Sequence, residues 1–209
     1  MNIKILCFLL LFPLFMNSQI KRNDAGVVYY QEIFEFEGKT HQAIKDLTFE
    51  WIAINFNDAN HVIKMNTEDK IINKGNIKTS YNWDGIIVDL TNSFDMISEF
   101  KDNRLRLTLE NITYKTANSG EIEINWDLEP ISLDEFKVVM QNLINDMANS
   151  PNRKLMIKIL NNPDKLEQHY ANGIKARRLI YNSVVPAIEG IGKNLANYIS
   201  NKSDKNSEW

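Results

Sequence analysis

Apolar and polar residues alternate along the first half of the chain and recur at helical spacing along the second. Val27 to Glu37 predicts a strand, with Ile33, Phe34 and Phe36 set against Glu35 and Glu37, and Gly38 ending it. Thr40 offers the hydroxyl that an N-cap needs, and a helix is expected from there to about Asn55. Within it Ile44, Leu47, Trp51 and Ile54 follow at steps of three, four and three, which predicts one buried stripe. Val62 to Met65 and Lys70 to Thr79 read as strands, with Gly75 expected at a bulge or sharp twist. Asn82, Trp83, Asp84 and Gly85 have turn chemistry. Leu90, Phe94, Met96 and Phe100 then share one parity, with Asn92 and Ser98 as its polar members. After a turn at Lys101 to Arg104, Leu105, Leu107 and Leu109 alternate with polar residues. Ile112 and Tyr114 fall on the opposite parity, so a bulge near Glu110 and Asn111 would return them to the same face. A turn at Ala117 to Gly120 leads to a last strand through Ile122, Ile124 and Trp126.

From Ser132 onward the period changes. Ser132 and Glu135 match a capping box, and Leu133, Phe136, Met140, Leu143 and Met147 repeat at three and four behind it. Ser150 and Pro151 suit the start of a short helix to Leu160, which Asn161, Asn162 and Pro163 break. A long helix is then expected from Asp164 to about Ser200, with Pro186 kinking or dividing it. Its stripe is Tyr181, Val184, Ile188, Ile191, Leu195 and Tyr198, with Pro186, Gly190 and Gly192 off that face. The fold class is therefore α+β: an antiparallel sheet in β-α-β-β-β-β order with a helix packed across it, followed by a helical C-terminal segment.

The start of the chain has a different character. One Lys precedes the apolar run Ile5 to Phe15, which is too short to span a bilayer, and Ser18 is a small residue suited to a cleavage site. Residues 1–18 are thus expected to be a signal peptide, with the cut near Ser18 and a periplasmic or secreted product. The one cysteine, Cys7, lies inside that segment, so the exported chain would carry no thiol to oxidise. The expected division is 1–18 signal peptide, 19–130 sheet domain, 131–202 helical segment and 203–209 disordered tail. The formal charge of −3 divides into +1 from Lys4 in residues 1–18, −7 over residues 19–130 and +3 over residues 131–209. A sheet domain at −7 lacks the cationic surface that phosphate binding needs, which argues against nucleic acid as a partner.

These residues carry a resemblance. Trp51 to Phe56 with Ala59, Val62 and Ile63, then Ile71 to Ile77, then Phe100 to Arg106 resemble a domain of unknown function from exported bacterial proteins, described as having a TATA-binding-protein-like fold. The likeness covers about residues 27–116. The family tends to have Gly in place of Asn103, and the stretch Ser80 to Asp89 departs from its usual short link. The resemblance implies a curved antiparallel sheet with one helix across it and no assigned activity, and it transfers no catalytic residue.

No reaction can be read from the residues. The three histidines His41, His61 and His169 lack the close spacing of a zinc set, so no metal is expected. Asn55, Asn57, Asp58 and Asn60 superficially suggest a calcium loop but lack its Gly and its acidic twelfth residue. Gly190 and Gly192 lack the strand and further glycines of a phosphate loop. Glu121, Glu123 and Asp127 would lie on one strand face, where a solvated surface is favoured over an acid–base pair. No catalytic set and no cofactor is expected. The favoured function is a noncatalytic binding or interaction module of the cell envelope, with an unknown envelope protein or a second copy as partner. The alternative is a hydrolase of an envelope polymer that uses the last-strand carboxylates. The stripe Tyr181, Val184, Ile188, Ile191, Leu195 and Tyr198 is the candidate partner contact. Packing on its own domain is favoured for most of it, and the final turns are the expected contact surface.

Overall fold

The computed structural model describes residues 20–23, 28–56, 62–117, 120–124, 131–147 and 151–202. The expected signal peptide and tail lie outside the described residues, as do His61, Trp126, Asp127 and Ser150. The elements in chain order are β1 (Ile20–Arg22), β2 (Val28–Glu35), α1 (His41–Asn55), β3 (Ile63–Asn66), β4 (Lys70–Trp83), β5 (Ile86–Lys101), β6 (Arg104–Lys115), β7 (Ile122–Glu123), α2 (Leu133–Asp146), α3 (Arg153–Leu160) and α4 (Pro163–Lys202). The strands form one antiparallel sheet in the order β1-β2-β6-β5-β4-β3, with β7 also pairing β6. The α+β class and the strand–helix–strand order stand as expected, with β1 an added edge strand.

Turn chemistry sets the register. Asp84 and Gly85 both have positive φ, 50° and 90°, and Trp83 pairs with Ile86 across them. A two-residue turn with both residues left-handed matches the twist of long hairpin strands. The β4–β5 hairpin therefore runs several residues past Thr79, the expected strand end. At the β5–β6 turn Asn103 takes φ 63°, a backbone region that favours Gly and tolerates Asn. In β6, Asn111 has φ 52° and the β5–β6 pairing shifts register between Ser93 and Asp95. This is the expected bulge, and it puts Ile112 in the core with Leu105, Leu107 and Leu109.

One face of the sheet carries the core. Leu90, Asn92, Phe94, Met96, Ser98 and Phe100 of β5 all point into it and are buried. The α1 helix crosses it over β4, β5 and β6, capped by Thr40, whose hydroxyl accepts from the Ala43 amide at 3.2 Å. The buried stripe of α1 is Ile44, Thr48, Trp51 and Ile52, while Ile54 is 62% exposed. Steps of three, four and three overrun the helix: at about 100° per residue Ile54 lies about 80° round from Ile44. The same drift leaves Leu143 of α2 exposed and buries Ile144. Gly75 makes no bulge, since β4 and β5 stay in register from Lys70 to Trp83. It marks a close approach, because a Cβ there would lie 2.4 Å from the Phe94 ring and 2.9 Å from Phe56.

The second helix on this face is the C-terminal half of α4. Helix α4 continues unbroken through Pro186, contrary to a division there. Pro186 and Asn182 are both exposed, so the Asn182 carbonyl that loses its donor can be hydrated. Gly192, expected off the buried face, is buried on it: a Cβ there would meet the Tyr30 hydroxyl at 2.5 Å. The Trp51 indole N–H donates to Asn194 Oδ1 at 2.8 Å and ties α1 to α4.

Candidate functional site

The tail stripe is occupied by its own sheet. Val184, Ile188, Ile191 and Leu195 are buried in the common core, and Tyr181 and Tyr198 pack half-buried against it. Even the final turns are engaged, for Ile199 is buried and Lys202 Nζ lies 2.6 Å from Glu50 Oε1. The Glu50 carboxyl is held below its ordinary value by the Lys202 hydrogen bond, and Lys202 is held above its own.

The opposite face of the sheet is the larger free surface, since among the described elements no helix lies on it. Much of this face neutralises itself. Arg106 Nε meets Glu99 Oε2 at 2.7 Å, Lys70 adds a contact at 3.5 Å, and Arg104 meets Glu35 at 3.4 Å. The Arg106 hydrogen bond holds the Glu99 carboxyl below its ordinary value. Such exposed pairs set charge pattern more than stability.

Toward the bulge the pattern changes. A concavity of about 530 Å³ is lined by Lys64, Lys74, Ser93, Asp95, Asn111 and Glu121, among others. Its shape follows from the chain. Glu121 lies just before β7, and the left-handed Asn111 turns its side-chain amide to donate to Asp95 Oδ2 at 2.8 Å. Lys74 is the register partner of Asp95, yet Asp95 is bonded to Asn111. Among the described residues, the side chains of Lys64, Lys74 and Glu121 make no hydrogen bond or ion pair. Glu121, singled out in the sequence, thus lines a concave site; its neighbours Asp95, Lys64 and Lys74 come from β5, β3 and β4 and carry no sequence signal that groups them. Only the pairing register assembles them.

The other candidates are placed as follows. His41 lies at the start of α1, its Nδ1 3.4 Å from Asp102 Oδ1, and its amide donates to the same oxygen at 2.9 Å. These hydrogen bonds hold Asp102 below its ordinary value. His169 lies beside the Phe136 ring at 6.0 Å between centroids. Among the described residues no group of three or more His, Cys, Asp or Glu side chains is arranged to hold a metal ion. No helix of the described residues is long and apolar enough to cross a membrane.

A curved antiparallel sheet with α1 laid across its covered face agrees with what the family resemblance implies. Residues 30–115 match the family described as "Domain of unknown function (DUF4468) with TBP-like fold". The matched domain holds β4, β5 and β6 complete, and with them all of the described concavity except Glu121. A TBP-like protein from Parabacteroides distasonis is similar in structure, with a TM-score of 0.53 at 15% identity, covering 86% of this chain and 96% of that one. That coverage exceeds the sheet domain, so the shared fold includes part of the helical segment. A DUF4468 family protein from Bacteroides ovatus has a TM-score of 0.47 at 14% identity, covering 56% of this chain and 72% of that one. No curated protein matches the chain. The matched family has no function assigned, and nothing in these likenesses indicates a catalytic family.

Proposed function

We propose that the chain is exported, with cleavage near Ser18, and acts in the cell envelope as a noncatalytic binding module whose contact site is the concavity at the β6 bulge. The observation that carries this reading is the contrast in charge pairing. Around Glu99 the free sheet face neutralises itself, whereas Lys64, Lys74 and Glu121 line a concave site with no partner of their own. Solvated charges gathered in a depression are available to a ligand without first breaking an ion pair.

One observation favours a second reading. Glu121 and Asp95 line the same concavity, and two carboxylates flanking a bound polymer are the requirement for glycoside hydrolysis. Both readings are tested by the same material. A photoreactive residue at Ser93, compared with one at Asp146 on α2, should crosslink envelope components preferentially from Ser93, and the protein recovered should begin at Gln19. An intact Met1 on the envelope material would overturn export, and equal labelling from the two positions would overturn the site. Release of reducing ends from envelope polysaccharide that is lost in Glu121→Gln would favour the hydrolase.

A further inference from the structure

The concavity also carries information about ligand chemistry. Its cations and carboxylates are sorted by strand: Lys64 and Lys74 come from β3 and β4, and Asp95 and Glu121 from β5 and the approach to β7. In the strand order β6-β5-β4-β3, with β7 beside β6, positive charge therefore lies toward one edge and negative charge toward the other. The Asn111 amide bonded to Asp95 Oδ2 comes from β6, on the negative side, and the other carboxylate oxygen remains to accept from a ligand. A ligand of one sign would be attracted by half of such a site and repelled by the other half. A ligand with an ammonium and a carboxylate satisfies both halves, and each contact is a charge-assisted hydrogen bond.

We propose that the concavity binds a small zwitterion, an amino acid or short peptide with free amino and carboxyl groups. The carboxylate lies toward Lys64 and Lys74, and the ammonium lies toward Asp95 and Glu121. Ser93, Asn76 and Thr113, which share one row across β4, β5 and β6, supply neutral donors and acceptors for the peptide group between the two charged ends. The volume of about 530 Å³ suits a molecule of that size. This inference rests on the concavity being the binding site, and it adds the class of ligand.

The test uses the full chain, ¹⁵N-labelled, and three probes: glycylglycine, its N-acetyl derivative and its C-terminal amide. Glycylglycine at roughly millimolar concentration should shift the Ser93, Asp95 and Asn111 amide resonances, and each blocked derivative should bind roughly tenfold or more weakly, as expected for loss of one charge-assisted contact. Lys74→Gln should remove the preference for the free carboxylate and keep that for the free amine; Glu121→Gln should do the reverse. Both side chains are on the surface, and an unchanged amide spectrum elsewhere checks that the variants fold. Equal binding of free and blocked dipeptides, or no shift at these amides, overturns the zwitterion inference. Preferential crosslinking from Ser93 despite such a failure would leave the binding-module reading standing, so the two failures are distinguishable.

Discussion

The two halves of α4 belong to the same helix but are held by different means. From Ile180 to Ile199 the helix presents Ile180, Val184, Ile188, Ile191, Leu195 and Ile199 to the sheet, all buried, and it is tied to α1 through Trp51 and Asn194. The first half packs with α2 and α3 and reaches the β4–β5 hairpin through Lys175; the buried apolar side chains of this cap are Met140, Ile144 and Leu166, and α3 buries none. This cap is held instead by local and polar devices. Ser132 and Glu135 form a complete capping box, the Tyr170 hydroxyl donates to the Ile131 carbonyl at 2.6 Å, and Phe136 lies 5.4 Å from the Tyr170 ring. Lys175 joins the cap end to the β4–β5 hairpin tip, 2.6 Å from Asp84 Oδ1 and 4.9 Å from the Trp83 ring centre. The lesson is that helical continuity does not make a cooperative unit: apolar burial does, and the cap should open before the docked half.

Matched leucines expose the difference most strongly. Leu195→Ala and Leu166→Ala each remove a fully or nearly fully buried side chain, at 0% and 2% exposure. Leu195→Ala should cost about 2–5 kcal/mol of global stability in a denaturant titration. Leu166→Ala should speed hydrogen exchange in residues 133–173 and leave the slowest sheet amides within about 0.5 kcal/mol of their original protection. Equal global losses from the two substitutions would show that cap and sheet unfold together. The next largest effect is expected at Gly192, where a Cβ would meet the Tyr30 hydroxyl at 2.5 Å. Tyr30 is buried and donates to Glu32, and burial pushes its hydroxyl well above the ordinary range, so the ring has little freedom to yield. Gly192→Ala should cost about 1–3 kcal/mol, and clearly less in a Tyr30→Phe background. An additive double variant would show that the contact is not what the methyl group offends. Smaller still, Ser132→Ala should remove the N-terminal cap of α2 at about 1 kcal/mol, read in cap amides and not in sheet amides.

The same contrast explains what was legible in the sequence. The sheet was readable because a period of two has no drift: Leu90 to Phe100 fall on one face, and the break at Asn111 required a bulge that the register shift supplies. Helix faces were less so, because steps of three and four accumulate angle, which misplaced Ile54 and Leu143. The two misread glycines share a cause. Gly75 and Gly192 are needed for close approach to Phe94 and Tyr30, residues 19 and 162 positions away, and nothing local records that contact. The concavity was legible only at Glu121. Its other charges are brought together by the β3–β4, β4–β5 and β5–β6 registers, and Lys74 looks like any solvated lysine until those registers place it beside the concavity. The Trp51–Asn194 bond and the Glu50–Lys202 pair, which fasten the tail, are likewise long-range.

The smallest expected effect lies at the far end of the docked half, where Lys202 meets Glu50. The Lys202 hydrogen bond holds the Glu50 carboxyl below its ordinary 4.5, so the folded chain takes up that proton less readily than the unfolded chain does. The contribution of the pair is therefore full above pH 4.5 and is lost as pH falls through the lower folded value. On the basic side the sign reverses. Glu50 raises Lys202 above its ordinary 10.5, so the contribution is full below that pH and is lost as pH rises through the raised folded value. Both side chains are more than 40% exposed, so water and salt screen the pair and the whole-protein stability should scarcely register it. The local readout is the helicity of Ser200, Asn201 and Lys202, followed by carbon chemical shifts. These three residues should fray in acid while Leu195 stays helical, because burial on the sheet has no dependence on that proton. In Glu50→Gln they should be frayed already at neutral pH, with no further acid step. A last turn that keeps its helical shifts through the acid range, or an acid step that persists in Glu50→Gln, would mean that the end of α4 is held by Ile199 in the core and that the ion pair contributes nothing there.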